Sequence, residues 1–163
     1  MGTFSFDDLP AIESALTEFQ FDGAWIDIYV RDTSTNDWQR MLEFIRFSMH
    51  KWQYSVSGEQ KQLPSSVADI FNARNDVDIH LSIDVASVTL NTYFFSFQEI
   101  EFDLDPRQVK DAVVLSGLFG YLRQLSRYLE KEVVLTPEST SDLVIFRITP
   151  PNNFVEHRNR TDR

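Results

Sequence analysis

The chain reads as a single α+β domain: a mixed, largely antiparallel β-sheet with two long helices packed on one face. Three features of the sequence carry that expectation. Residues 78–85 and 99–105 alternate polar and apolar side chains with the period of two that a half-buried strand requires. Apolar residues following Trp38, and again following Asp105, recur three and four apart, the period of an amphipathic helix. The patterns run strand, helix, strand, a meander of strands, helix, strand, strand, which suits a sheet with its helices segregated to one side. A chain of 163 residues, 42% of them hydrophobic, is long enough for one well-filled core.

Each element has a local reason. Leu9, Ile12, Leu16 and Phe19 follow Asp7 and Asp8 near helical spacing, which predicts an N-terminal helix over 9–19. From Trp25 to Val30, Ile26, Ile28 and Val30 alternate with Trp25, Asp27 and Tyr29, a first strand. Ser34 and Asp37 have the spacing of a capping box, in which hydroxyl and carboxylate satisfy free N–H groups at a helix start. Trp38, Met41, Leu42, Ile45 and Met49 continue that helix as one apolar stripe. Trp52, Tyr54 and Val56 predict a second strand ending at Gly58, and Pro64 to Arg74 a short helix with Val67, Ile70 and Phe71 inward. Strands then follow over 78–85, 88–95 and 99–105. Asp105 and Pro106 are expected to open the longest helix, as cap and first helical residue, with Val109, Ala112, Val113, Leu118, Phe119, Leu122, Leu125 and Leu129 buried. Gly117 and Gly120, each unfavourable in a helix, point to close packing on the sheet. Val133–Leu135 and Leu143–Ile148 close the domain as strands, the second apolar enough for a central place. The domain spans 1–150, and 151–163 reads as a flexible polar and basic tail.

Composition narrows function by exclusion. Twenty-five acidic against fifteen basic residues leave a net charge of −10, which disfavours nucleic acid and anionic membrane as partners. The absence of cysteine removes disulfides and thiolate chemistry. No apolar run approaches the ~18 residues that span a bilayer, and no signal-peptide pattern opens the chain, so a cytoplasmic location is expected. No cofactor is expected, because Gly117 and Gly120 lie inside a helical pattern and form no phosphate loop. No metal is expected either. Asp78, His80 and Asp84 share a strand face, but alternate strand residues stand ~7 Å apart and need ligands from a neighbouring strand to converge. Catalytic residues are not assigned: the three histidines, His50, His80 and His157, accompany no activated serine, and the chain reads as leaning away from an enzyme.

What remains is the distribution of acid. Between Asp76 and Pro106 stand seven carboxylates and no Lys or Arg. Asp78 and Asp84 share one strand face with His80 and Ser82, and Glu99, Glu101 and Asp103 share the polar face of another strand. Solvated strand faces hold carboxylates cheaply, so acidity alone defines no site. A row without interspersed lysine nevertheless suits docking of a cationic protein, with Asp78, Asp84, Glu99, Glu101 and Asp103 as charge partners and Tyr29 and Tyr93 as aromatic anchors. The size, acidity and lack of catalytic machinery are similar to those of bacterial immunity and antitoxin proteins, a likeness of composition and not of motifs. Two alternatives stand beside this reading: a small-ligand or enzyme pocket between sheet and helices, lined by Trp25, Tyr54 or His80, and self-association as a homodimer.

Overall fold

The structure, a computed structural model, describes residues 2–151 and 154–158. Ten strands form one sheet: β1 (Gly2–Ser5), β2 (Ile26–Arg31), β3 (Trp52–Val56), β4 (Glu59–Lys61), β5 (Ile79–Val85), β6 (Val88–Thr92), β7 (Glu99–Leu104), β8 (Val133–Pro137), β9 (Phe146–Ile148) and β10 (Phe154–His157). Their order is β1-β10-β9-β8-β2-β7-β6-β5-β3-β4, and every junction is antiparallel, with no parallel pair among the described residues. Four helices, α1 (Leu9–Ala15), α2 (Thr35–Phe47), α3 (Val67–Ala73) and α4 (Ala112–Leu129), complete the α+β fold. α4 lies against β5, β8 and β9, α1 and α2 flank it, and α3 packs on α2.

Alternation decides which sheet face the helices cover. Ile26, Ile28 and Val30 of β2, Leu81 and Ile83 of β5, and Ile100, Phe102 and Leu104 of β7 all point into the core and are fully buried or nearly so. They meet Leu115, Leu118, Phe119 and Leu122 of α4 and Trp38, Met41, Leu42 and Ile45 of α2. Intervening residues must then face the other way, and no helix among the described residues covers them. The β5–β6 connection is a two-residue turn with Ala86 and Ser87 both at positive φ, between the paired Val85 and Val88. That geometry matches the strand twist. α4 crosses close to this turn at Gly117, where an added Cβ would stand 2.6 Å from the Cβ of Ala86. The close packing expected at Gly117 is thus present, whereas Gly120 faces open space.

Several expectations need correction. The capping box at Ser34 and Asp37 forms as read, but Asp105 and Pro106 open only a 3-10 turn over Pro106–Gln108. Val109 leaves helical geometry, and α4 starts at Ala112, where the Asp111 carboxylate accepts the Val114 N–H at 2.9 Å. Two consecutive capping aspartates made one helix look longer than it is, and Val113, placed in the buried stripe, is exposed. The N-terminal helix divides into α1 and a 3-10 turn over Leu16–Phe19. The tail is structured in part: Phe154–His157 is a strand seated between β1 and β9. Val155 is buried opposite Phe4, and His157 Nε2 lies 3.2 Å from the Oε1 of buried Glu18. A four-residue strand, Phe-Val-Glu-His, without alternation is too short to stand out among polar neighbours, as is the edge strand Gly2–Ser5 that it pairs with. The rest of the expected tail, 152–153 and 159–163, lies outside the described residues.

One junction is thin. β6 and β7 share a single ladder pair, Asn91 with Asp103, among the described residues. The Thr89 N–H instead reaches the Gln108 side-chain carbonyl at 2.8 Å.

Candidate functional site

The uncovered sheet face is built from the polar residues of β2, β7, β6 and β5. Asp27 lies directly opposite Asp103, Tyr29 opposite Glu101 and Arg31 opposite Glu99. The ladder continues from Asp103 to Asn91, from Asn91 to Ser82 and from Ser82 to Gln53. Side-chain hydrogen bonds follow it: His80 Nε2 lies 2.8 Å from Asn91 Oδ1, and the Asn91 amide N–H donates to Asp103 Oδ1 at 3.0 Å. With the asparagine amide as donor to Asp103, its oxygen accepts, so the His80 Nε2–H is the donor in that contact.

A loop over residues 138–144 folds across the β2 side of this face. The Ser139 N–H donates to Asp27 Oδ2 at 2.9 Å, the Trp25 N–H to Glu138 Oε2 at 3.1 Å, and the Arg31 guanidinium to the Ser141 carbonyl. Under this loop Asp27 and Tyr29 are each only 6% exposed, and the Tyr29 hydroxyl donates to Asp27 Oδ2 at 3.3 Å. Tyr29 therefore cannot serve as the exposed anchor expected of it. Trp25, just before β2, is half-buried, and Tyr54 is in the core.

Burial and crowding set the protonation of the carboxylates. Glu101 is pushed up to about 7, first by burial and then by the charges of Asp27, Glu99 and Asp103. Burial likewise raises Asp27, against the opposing Ser139 N–H and Tyr29 hydroxyl, and raises Asp103, against the Asn91 amide. Burial, and after it the charges of Asp27, Glu101 and Glu99, hold the Tyr29 phenol up. Like charges facing one another across a strand pair repel, and the partly dry sheet surface strengthens that repulsion. Ion pairs lie elsewhere, among them Lys61–Glu59, Arg107–Asp105, Lys131–Asp37, Arg147–Glu132 and His157–Glu18.

Comparison with protein-family models, with curated proteins and with solved structures gives no match.

Of the seven residues singled out in the sequence, the fold brings Glu99, Glu101, Asp103 and Tyr29 together on two adjacent strands. Asp84 is exposed at one end of β5, accepting from the Thr89 hydroxyl at 3.2 Å, and Asp78 is exposed beyond the other end. These two flank the cluster and are not part of it. Tyr93 is half-buried and stacks on His80 with ring centroids 5.1 Å apart. Asp27 and Asn91, at the heart of the network, were not among those seven. An aspartate set between Ile26 and Ile28 in an apolar strand is a readable signal for the first. For the second the signal was absent, because Asn91 matters only through a register that the sequence does not display. Among the described residues no three acidic or histidine side chains are placed to hold a metal ion.

Proposed function

We propose that this chain is a non-enzymatic module that binds a basic protein through its uncovered sheet face. The observation that supports this best is the crowding of Glu99, Glu101 and Asp103 on β7 beside the buried Asp27 of β2, with Glu101 pushed up to about 7 by burial and by its neighbours. Such an arrangement works against the isolated fold, and a docked cation would relieve it. Asp84 and Asp78 extend the negative field toward β5, where it would steer a cationic partner during encounter. Inhibition of a cationic toxin is one form that such binding would take.

The test compares the wild-type chain, immobilised, with the variant carrying Asp84→Asn, Glu99→Gln and Glu101→Gln. Wild type is expected to retain strongly basic proteins, with association rates that fall steeply as salt rises, while the variant folds normally and loses them. Equal retention and equal rates for the two would reject the acidic face as the binding surface.

A second reading, self-association, is favoured by one observation on the opposite side of the molecule. Phe47 is 82% exposed and Met49 fully so, and with Phe44 and Tyr128 they surround a hollow of about 370 Å³ between α2 and α4. Light scattering across a concentration series, on wild type and on Phe47→Glu, separates a dimer closed over this patch from a monomer.

A further inference from the structure

The corner of the sheet where β6 leaves for β7 carries an inference that rests on the basic-partner reading and names what the partner brings. Tyr93 stacks with both His80 and Phe95, at 5.1 and 5.4 Å between centroids and with planes within 18° and 24° of parallel. The three rings form a shelf along the rim of the acidic face, and Phe95 is 57% exposed. This exposure is not the fraying of a loose loop. Phe94 is buried against Trp38 at a positive φ of 57°, a conformation that bulky residues adopt only when their surroundings enforce it. The Trp38 indole N–H donates to the Ser96 carbonyl at 3.1 Å, and the Thr33 hydroxyl to the Phe97 carbonyl at 2.8 Å. A segment pinned at three of four successive residues holds Phe95 out in water.

Beside the shelf is a hollow of about 320 Å³, bounded by Phe95, Tyr93, His80, Val77, Asp78 and Arg74. Arg74 offsets part of the Asp78 charge there, and the carboxylates of β7 add to the negative side. The field of Asp103 reaches the shelf: after burial, it is the cause that raises the Tyr93 phenol. The sign calls for a cation and the stacked rings call for a flat one. Arginine meets both conditions, since its guanidinium lies face-on to an aromatic ring while its N–H groups donate in plane to a carboxylate; a lysine ammonium offers no such plane.

We propose that Phe95 and Tyr93 seat an arginine side chain of the basic partner, its guanidinium stacked on Phe95 and hydrogen-bonded to the Asp78 carboxylate. The pairing of an exposed ring with a nearby acid makes this corner the selective part of a face whose remainder responds to charge alone.

The experiment uses two blocked peptides of equal length and charge, acetyl-Gly-Arg-Gly-Arg-Gly-amide and its lysine counterpart, titrated into the full chain at low salt by NMR. The arginine peptide is expected to bind roughly 2- to 5-fold more tightly, with its δ-methylene protons shifted upfield by the Phe95 ring. Phe95→Ala and Phe95→Leu are each expected to erase the preference while leaving the lysine peptide unaffected, and Asp78→Asn to reduce it. The leucine variant keeps the apolar bulk, so loss of the preference there reports the ring and not the fold. Equal affinities for the two peptides in wild type, or a preference that survives both Phe95 substitutions, would overturn the arginine seat. If the Asp84→Asn, Glu99→Gln, Glu101→Gln variant loses both peptides while wild type shows no arginine preference, the acidic face stands and the seat falls. Failure of wild type to bind either peptide would remove both.

Discussion

At the scale of single residues, Glu101 carries the clearest pH dependence. Its folded value of about 7 lies above the ordinary 4.5, so the native state holds this proton more firmly than the unfolded chain does. The group therefore favours folding below pH 4.5, and that contribution is lost as pH rises through about 7. Glu101→Gln, which resembles the protonated form, is expected to stabilise the protein at pH 8 by roughly 1–2 kcal/mol, a figure discounted because the carboxyl is partly exposed. At pH 4 it should change little. Urea unfolding at the two pH values measures the difference, and an equal effect at both would remove Glu101 from this role. By the same linkage, a cation docked beside Glu101 should expel its proton, so binding near pH 7 should give heats that vary with the ionisation enthalpy of the buffer. The acid alternation of β7 was legible in the sequence because strand periodicity needs no tertiary information. The depth of Tyr29 was not, since it depends on a loop more than a hundred residues away, whose Ser139 N–H reaches Asp27.

Elements were read well where local chemistry set them and poorly where two signals ran together. Ser34 and Asp37 announced α2 unambiguously. Asp105-Pro106 and Asp111 both announce a helix, and only the break at Val109 shows which one begins α4. The two glycines of α4 give paired predictions of opposite sign. Gly117→Ala should destabilise by about 1–3 kcal/mol, because the new methyl meets a Cβ fixed to the backbone of the β5–β6 turn. Gly120→Ala, with open space at its Cβ, should stabilise by up to about 1 kcal/mol through helix propensity alone. Thermal unfolding of the two variants decides the matter, and stabilisation by both would mean that α4 does not rest on the turn. Ser34→Ala should cost ~1 kcal/mol by removing the cap, read as a shift in the same unfolding curve.

For the whole molecule, the α+β class and the side on which the helices lie followed from alternation, whereas strand order did not, because antiparallel pairing leaves no mark on either sequence of a pair. The most consequential omission is β10, whose place between β1 and β9 ties the first strand to the last. A chain ending at Pro150 should lose β1 as well, since β1 pairs with β10 alone among the described residues. Its stability should fall by roughly 3 kcal/mol or more as Val155 and Phe4 leave the core. Hydrogen exchange at the amides of Gly2–Ser5 is the check, and undiminished protection there would show that β1 holds without its neighbour. In the same sheet Asn91 and Asp103 form the one ladder pair between β6 and β7 among the described residues. The carboxylates of β7 and the rings that follow β6 stand on either side of that junction. A basic partner that engaged both would bridge the junction, so its binding should also slow amide exchange along β6 and β7.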